Sequence, residues 1–313
     1  MLKKGANSAV EPDTEYSLRC WTPDGLRTII YTDTDPQPAA GKPTLICVPG
    51  VARNHRDFRY LALKARDSFR VVSVSLLGVG ASDRLSSKTQ YQAGGLDLHI
   101  NCIVNLLSRL GLEKVAFLGT SLGGIVGMTL AAQSPSPIAA LVLNDIGAFV
   151  PKENFVGFNE RLATEIKFTD LGRAETYFKI AFREVGRLSP EQWRQFTLDS
   201  LDGWSDGGYR LAFDAGIAQQ YIGREVCDLE LWAVWARVQC PALIVRGERS
   251  RFVRAETITE MRAMNPLCAS ITLADCGHFP HLRSEEHVVP ILAWLRGRAE
   301  LREEDQLGVG GMA

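Results

Sequence analysis

Two residues far apart in this chain of 313 have the type and setting for nucleophilic catalysis: Ser121 and His278. Ser121 is the middle of Gly119-Thr120-Ser121-Leu122-Gly123. An apolar run of strand length, 115–118, precedes it, and a helix-like run without proline, 125–132, follows it. Strand, tight turn and helix is the setting in which Gly-x-Ser-x-Gly carries meaning. The serine must stand at the apex of a turn sharp enough to strain its backbone. Gly119 and Gly123 lack a Cβ, so the strand before and the helix after can approach closely. The Leu122 amide then points the same way as the serine hydroxyl, at the positive end of a helix, where it can hold the oxyanion of a tetrahedral intermediate.

A serine is a weak nucleophile at its own pKa and needs a base. There are five histidines. His278 follows the final strand expected from the sequence, after Cys276-Gly277 and before Phe279-Pro280, in a loop able to carry it over the turn. His281 reads as a rim or packed neighbour. His99 and His287 fall inside expected helices and read as structural. His55 lies in the loop after Gly50, where it would touch substrate or, more simply, face solvent.

The elements that must position these residues alternate. Residues 16–21 and 26–31 flank Pro23-Asp24-Gly25 as a hairpin. Strands are expected at 44–48, 70–76, 115–118, 139–144, 241–246 and 270–273. Helices are expected at 56–66, 96–110, 255–264 and 285–298. Repeated strand–helix units imply a parallel sheet covered by helices on both faces, with its active site at the carboxyl ends of the strands. Between 147 and 238 the strand-like runs stop and helical segments take over, at 158–166, 175–185, 190–201 and 217–232. The division expected is an α/β core of residues 1–146 and 239–300, a helical insertion of 147–238, and a disordered tail of 301–313.

Composition excludes several other classes. A formal net charge of −1 and a pI near 6.5 disfavour a nucleic-acid or anionic-membrane partner. The first residues lack the apolar run of a signal peptide, and no window of 18 apolar residues exists, so a cytoplasmic location is expected. The seven cysteines are scattered, several of them within apolar runs, and read as buried thiols in a reducing compartment. Cys276-x-His278-x-x-His281 has a faintly metal-like spacing, yet no second ligand pair accompanies it, so neither metal nor cofactor is expected.

In motif order and spacing, roughly residues 40–298 resemble the α/β-hydrolase fold superfamily, specifically its cap-bearing branch of esterase-like serine hydrolases. The resemblance implies that the insertion caps the active site and that His278 is the base. It implies a second oxyanion donor in the amide of Val51, after Pro49-Gly50, where resembling enzymes often carry His-Gly. Arg53 and Asn54 follow at once. They would orient a substrate carboxylate or carbonyl, or simply tie down the loop.

Two departures stand out. Resembling enzymes place an aspartate a few residues after the strand 242–246, and Arg251 stands about there. Two carboxylates could serve instead: Asp145, at the end of the strand 139–144, is the acid expected, and Glu248, on the expected loop, is the alternative. The third possibility is that no acid works. The other departure is Ser75, where the loop usually opens with aspartate; a rearranged hydrogen bond is expected there.

The reading is a serine hydrolase that cleaves a carboxylic ester or lactone of a small hydrophobic substrate through an acyl-enzyme. A carbon–carbon bond hydrolase acting on a diketone is the rival enzyme. A catalytically impaired ligand-binding homologue, suggested by Arg251, is the rival from another class. Dehalogenases and epoxide hydrolases of this kind carry aspartate where Ser121 stands. The expected partner is a small-molecule substrate, with no nucleic acid and no membrane, in a monomer or homodimer.

Overall fold

A computed structural model describes residues 14–37, 41–203, 207–221 and 225–299. The polar start and the tail for which disorder was expected lie outside the described residues. In chain order the first half contains β1 (Glu15–Thr22), β2 (Gly25–Asp33), β3 (Thr44–Val48), α1 (Arg59–Ala65), β4 (Arg70–Ser75), α2 (Lys88–Arg109), β5 (Val115–Thr120), α3 (Leu122–Ala131) and β6 (Ile138–Asn144). An insertion follows, with β7 (Phe149–Val150), α4 (Phe158–Ala163), β8 (Lys167–Phe168), α5 (Leu171–Ala181), α6 (Pro190–Asp199), β9 (Leu201–Gly203), β10 (Tyr209–Leu211), β11 (Leu229–Glu230) and α7 (Trp232–Trp235). The chain closes with β12 (Ala242–Gly247), α8 (Ala255–Met264), β13 (Cys268–Leu273) and α9 (Glu285–Ala299).

Eight strands form one sheet in the order β1-β2-β4-β3-β5-β6-β12-β13. The hairpin β1–β2 adds antiparallel to β4, and every pairing from β4 to β13 is parallel. Alternate residues of each parallel strand enter different cores, because successive side chains of a strand point to opposite faces. Ile46, Val48, Phe117, Leu141, Leu143 and Ile244 join one core, which α2, α3 and α8 cover with Leu98, Ile103, Leu106, Val126 and Met261. Leu45, Cys47, Leu118, Val142, Leu243 and Val245 join the other, covered by Leu61 and Ala65 of α1 and by Val288, Ile291 and Leu295 of α9. Burial on both faces is why these strands read as continuous apolar runs. Each such residue stabilises the sheet by roughly 1.5–3 kcal/mol.

The insertion between β6 and β12 is not all-helical, as the sequence had suggested. It holds a small antiparallel sheet, β8-β10-β9, which packs with α5 and α6 around its own core of Phe168, Phe178, Phe196 and Leu211. Strands of two or three residues are too short to show the period-two pattern that betrays longer ones. The helix expected at 217–232 is also absent among the described residues. A short 3-10 turn, Ala215–Gln220, starts where the Asp214 side chain accepts from the Gly216 amide. Leu229 and Glu230 then pair with Val150 and Phe149, so the entry and exit of the insertion lie side by side. Strand pairing at this neck overrides the helical propensity of the segment.

Candidate active site

Ser121 leaves β5 and stands as the N-cap of α3 with φ 50° and ψ −114°. Such a conformation costs on the order of 1–3 kcal/mol and persists only where the surroundings enforce it. The Ser121 amide donates to the Asn144 carbonyl at 3.1 Å, and the Ser121 carbonyl accepts from the Gly124 and Ile125 amides at 2.9 and 3.1 Å. A Cβ on Gly123 would overlap the carbonyls of Val48 and Pro49, and one on Gly119 would overlap the peptide of Gly123. The start of α3 is therefore pressed against the end of β3. That brings the Pro49-Gly50-Val51 turn to the serine: a Cβ on Gly50 would sit 3.5 Å from that of Ser121. Leu122 lies in the first turn of α3, where an amide has no helical carbonyl to bond and can serve an incoming oxygen.

Strand adjacency brings one of the two candidate carboxylates to His278. β6 and β12 are parallel neighbours, with Asn144 opposite Val245. Asp145, one residue past the end of β6, is fully buried and has φ 53°. Its Oδ2 lies 2.8 Å from Nδ1 of His278 and accepts from the Ser250 hydroxyl at 2.6 Å, while its Oδ1 accepts from the Gly247 amide at 3.0 Å. With Asp145 engaged as the acceptor, Nδ1 of His278 carries the proton and Nε2 keeps its lone pair. Glu248, the alternative acid, is exposed and turned away, its Oε2 accepting from the Asp275 amide at 3.1 Å. It sits one residue beyond the end of β12, where the side chain leaves the interior. Arg251 is exposed, and its carbonyl accepts from Asn154. The polar residue of that loop that turns inward is Ser250.

His278 is 19% exposed at its side chain. Phe252 stacks on its ring with centroids 3.6 Å apart and an interplanar angle of 10°. The insertion grips both chain neighbours of this histidine. The Gly277 amide donates to the Glu184 carbonyl at 2.6 Å, and Phe279 meets Phe182 edge-on with centroids 6.3 Å apart.

Arg53 and Asn54 bond within the protein. Arg53, 3% exposed, makes a two-point ion pair with Asp57, donates to Ser200 and lies 4.2 Å over the Phe196 ring. Asn54 accepts from the Arg56 amide at 3.0 Å and donates to the Asp199 carbonyl at 2.6 Å. Both tie the turn that carries Val51 to α6 of the insertion. His55 is buried, contrary to the exposure expected of it, because its Nδ1 meets the Ser75 hydroxyl at 2.7 Å and its Nε2 faces Glu15. This is the rearranged hydrogen bond expected of Ser75.

His281 stacks on His287 with centroids 4.1 Å apart. Burial, then the charges of His287 and Arg283, hold His281 down to about 3, so it is a poor base. Cys276 turns its sulfur to the Leu273 carbonyl, and burial pushes its thiol up to about 11. Cys276, His278 and His281 thus face three different partners.

Sequence reasoning missed Asn144. Fully buried, it donates to Thr120 at 3.0 Å and to the Pro280 carbonyl at 3.1 Å, joining the approach to Ser121 to the loop of His278. Its only signal was an amide at the end of an apolar strand.

A doubly covered parallel sheet, with a strained serine at a strand–helix elbow and a histidine–aspartate pair at the neighbouring strand ends, defines a class of enzymes. The chain belongs to it: the family model described as alpha/beta hydrolase fold matches residues 43–284. Over 272 residues the chain is 29% identical to the 3-hydroxybutyrate-oligomer hydrolase of Cupriavidus necator, covering 84% of this chain and 91% of that protein. Over 248 residues it is 26% identical to the 2-(acetamidomethylene)succinate hydrolase of Mesorhizobium japonicum, covering 78% and 84%. The solved structure of an alpha/beta hydrolase from Novosphingobium aromaticivorans superposes with a TM-score of 0.80 at 27% identity, covering 91% of this chain and 98% of that one. With relatives of this kind, the protein is a hydrolase of the alpha/beta fold. No helix among the described residues is long and apolar enough to cross a membrane.

Proposed function

We propose that the protein is a serine esterase acting through an acyl-enzyme, with Ser121 as nucleophile, His278 as base and Asp145 as acid. The observation that carries this reading is the 2.8 Å contact between Nδ1 of His278 and the buried carboxylate of Asp145. It leaves Nε2 free to take the Ser121 proton as Oγ bonds to the acyl carbon. The carbonyl electrons move onto oxygen, held by the Val51 and Leu122 amides. On collapse the carbon–oxygen bond to the alcohol breaks, and His278 gives that alcohol the proton. Water then attacks the acyl-enzyme by the same route, releasing the acid and restoring Ser121.

The substrate class we assign is an ester of a short hydroxy acid, including oligoesters. Support comes from the relative named for hydrolysis of 3-hydroxybutyrate oligomers, which the chain matches over most of both lengths. The insertion, 147–238, serves as the cap that sets the pocket. Hydrolysis of p-nitrophenyl esters of increasing acyl length, followed by linear 3-hydroxybutyrate dimer and trimer, tests the assignment. Turnover of short esters and of the dimer, abolished in Ser121→Ala, is the expected result. Hydrolysis of a diketone carbon–carbon bond with no turnover of any ester would replace this reading with the rival one.

A further inference from the structure

We infer that Ser250 and Phe252, on the loop between β12 and α8, are positioning residues that fix the orientation of the His278–Asp145 pair; the inference rests on the proposed function. Each holds one member of the pair. Ser250 is buried, and its oxygen accepts from the Phe252 and Val253 amides at 3.1 and 3.3 Å. With its acceptor sites filled, its one proton goes to Oδ2 of Asp145 at 2.6 Å. The same oxygen accepts from His278. Without Ser250, among the described residues only the Gly247 amide at Oδ1 and His278 itself would hold the carboxylate against rotation about its terminal bond.

Phe252 acts on the other partner. Its ring lies parallel to the imidazole at 3.6 Å, so His278 cannot turn about its own ring torsion without lifting off that face. Only one ring orientation keeps Nδ1 on Asp145 and leaves Nε2 on the opposite edge. The phenyl ring is backed in turn by Phe155 of the insertion, edge-on with centroids 6.0 Å apart, and Phe155 by Phe158 at 6.5 Å. Asn154 donates to the Arg251 carbonyl at 3.1 Å, and Arg246 Nε donates to the Val253 carbonyl at 2.8 Å. The loop is thus anchored on both sides of the two residues. The place where resembling enzymes carry an acid is here occupied by a clamp on an acid supplied by the neighbouring strand. The π face of Phe252 also favours the imidazolium that forms as the serine loses its proton.

The test uses the full chain, with Ser250→Ala, Phe252→Leu and the conservative Phe252→Tyr. Two readouts are taken: steady-state kinetics on a p-nitrophenyl ester, and the low-field proton resonance of His278 Nδ1–H. In Ser250→Ala and Phe252→Leu we expect kcat to fall by about 10–100-fold, the scale of a small misplacement of catalytic groups, with KM within about twofold. We expect the resonance to shift or broaden in both, and Phe252→Tyr to keep the wild-type rate and resonance. An unmoved resonance in Ser250→Ala and Phe252→Leu overturns the inference, whether or not the rate or the melting temperature falls, because the loop would then be merely structural. If instead Ser121→Ala keeps the wild-type rate, the proposed function falls, while the resonance still reports on whether the two residues hold the pair.

Discussion

Nδ1 of His278 rests 2.8 Å from Oδ2 of an Asp145 that has no exposed surface. The two residues come from segments 133 positions apart, and β12, lying between β6 and β13 in the sheet, closes the gap between them. An acid in this place fixes the tautomer of the base. Asp145→Asn should therefore lower kcat by about 10⁴-fold on a simple ester. Glu248→Gln, altering an exposed side chain turned elsewhere, should keep kcat within about twofold. Arg251→Asp should bring no gain. Steady-state kinetics on the three variants decide among these.

The elbow predicts a sharp contrast between two glycines. Gly123→Ala drives a methyl into the carbonyls of Val48 and Pro49, which are backbone and cannot yield, so neither folded protein nor activity should survive. Gly50→Ala meets only ordinary contacts at 3.5 Å or more. It should fold with a melting temperature close to wild type. Circular dichroism melts of both variants check this.

A buried charge network joins the loop after β3 to the insertion. Asp57 joins Arg53 and Arg283, and Arg283 also pairs with Asp199 at 2.9 Å. Removing one member of a buried pair leaves the other uncompensated, which costs about 3–5 kcal/mol. Arg53→Ala should lose stability on that scale in urea unfolding. Arg53→Lys should recover only part of it, because an ammonium cannot reproduce the two-point pair with Asp57.

Two buried histidines predict acid sensitivity. Burial holds His99 down to about 4 and is the first cause holding His281 down to about 3, against 6.5 for a free side chain. As pH falls below 6.5 the unfolded chain takes up these protons and the folded chain does not. Stability is untouched above 6.5, falls through pH 5, and levels off only below the folded values. At pH 5 each histidine should cost about 2 kcal/mol relative to pH 7. His99→Gln and His281→Gln should each flatten the dependence of unfolding free energy on pH, measured by urea titration between pH 7 and 5.

Much of this was legible in the sequence where the determinants are local. The Gly119–Gly123 elbow, the hairpin around Asp24-Gly25, and helix α8 follow from residues within one turn or strand of each other. His278 was legible from its place after β13. Asp145 was named from its place at a strand end, but only the order of strands in the sheet separates it from Glu248. Ser250, Phe252 and Asn144 carry no signal of their own and acquire roles through contacts across the sheet. His55 is buried because Ser75 and Glu15 happen to meet it, which no local pattern encodes. The all-helical expectation for the insertion failed because its strands are shorter than any period.

The central claim is that Ser121 is a nucleophile activated by the His278–Asp145 pair. Intact-mass and peptide mass spectrometry after treatment with a fluorophosphonate measures it most directly. One covalent adduct per chain, on the peptide carrying Ser121, formed quickly in the wild type and far more slowly in Asp145→Asn, is the result we predict. An unlabelled Ser121 in a folded protein that still hydrolyses esters, or labelling equally fast without Asp145, would contradict it.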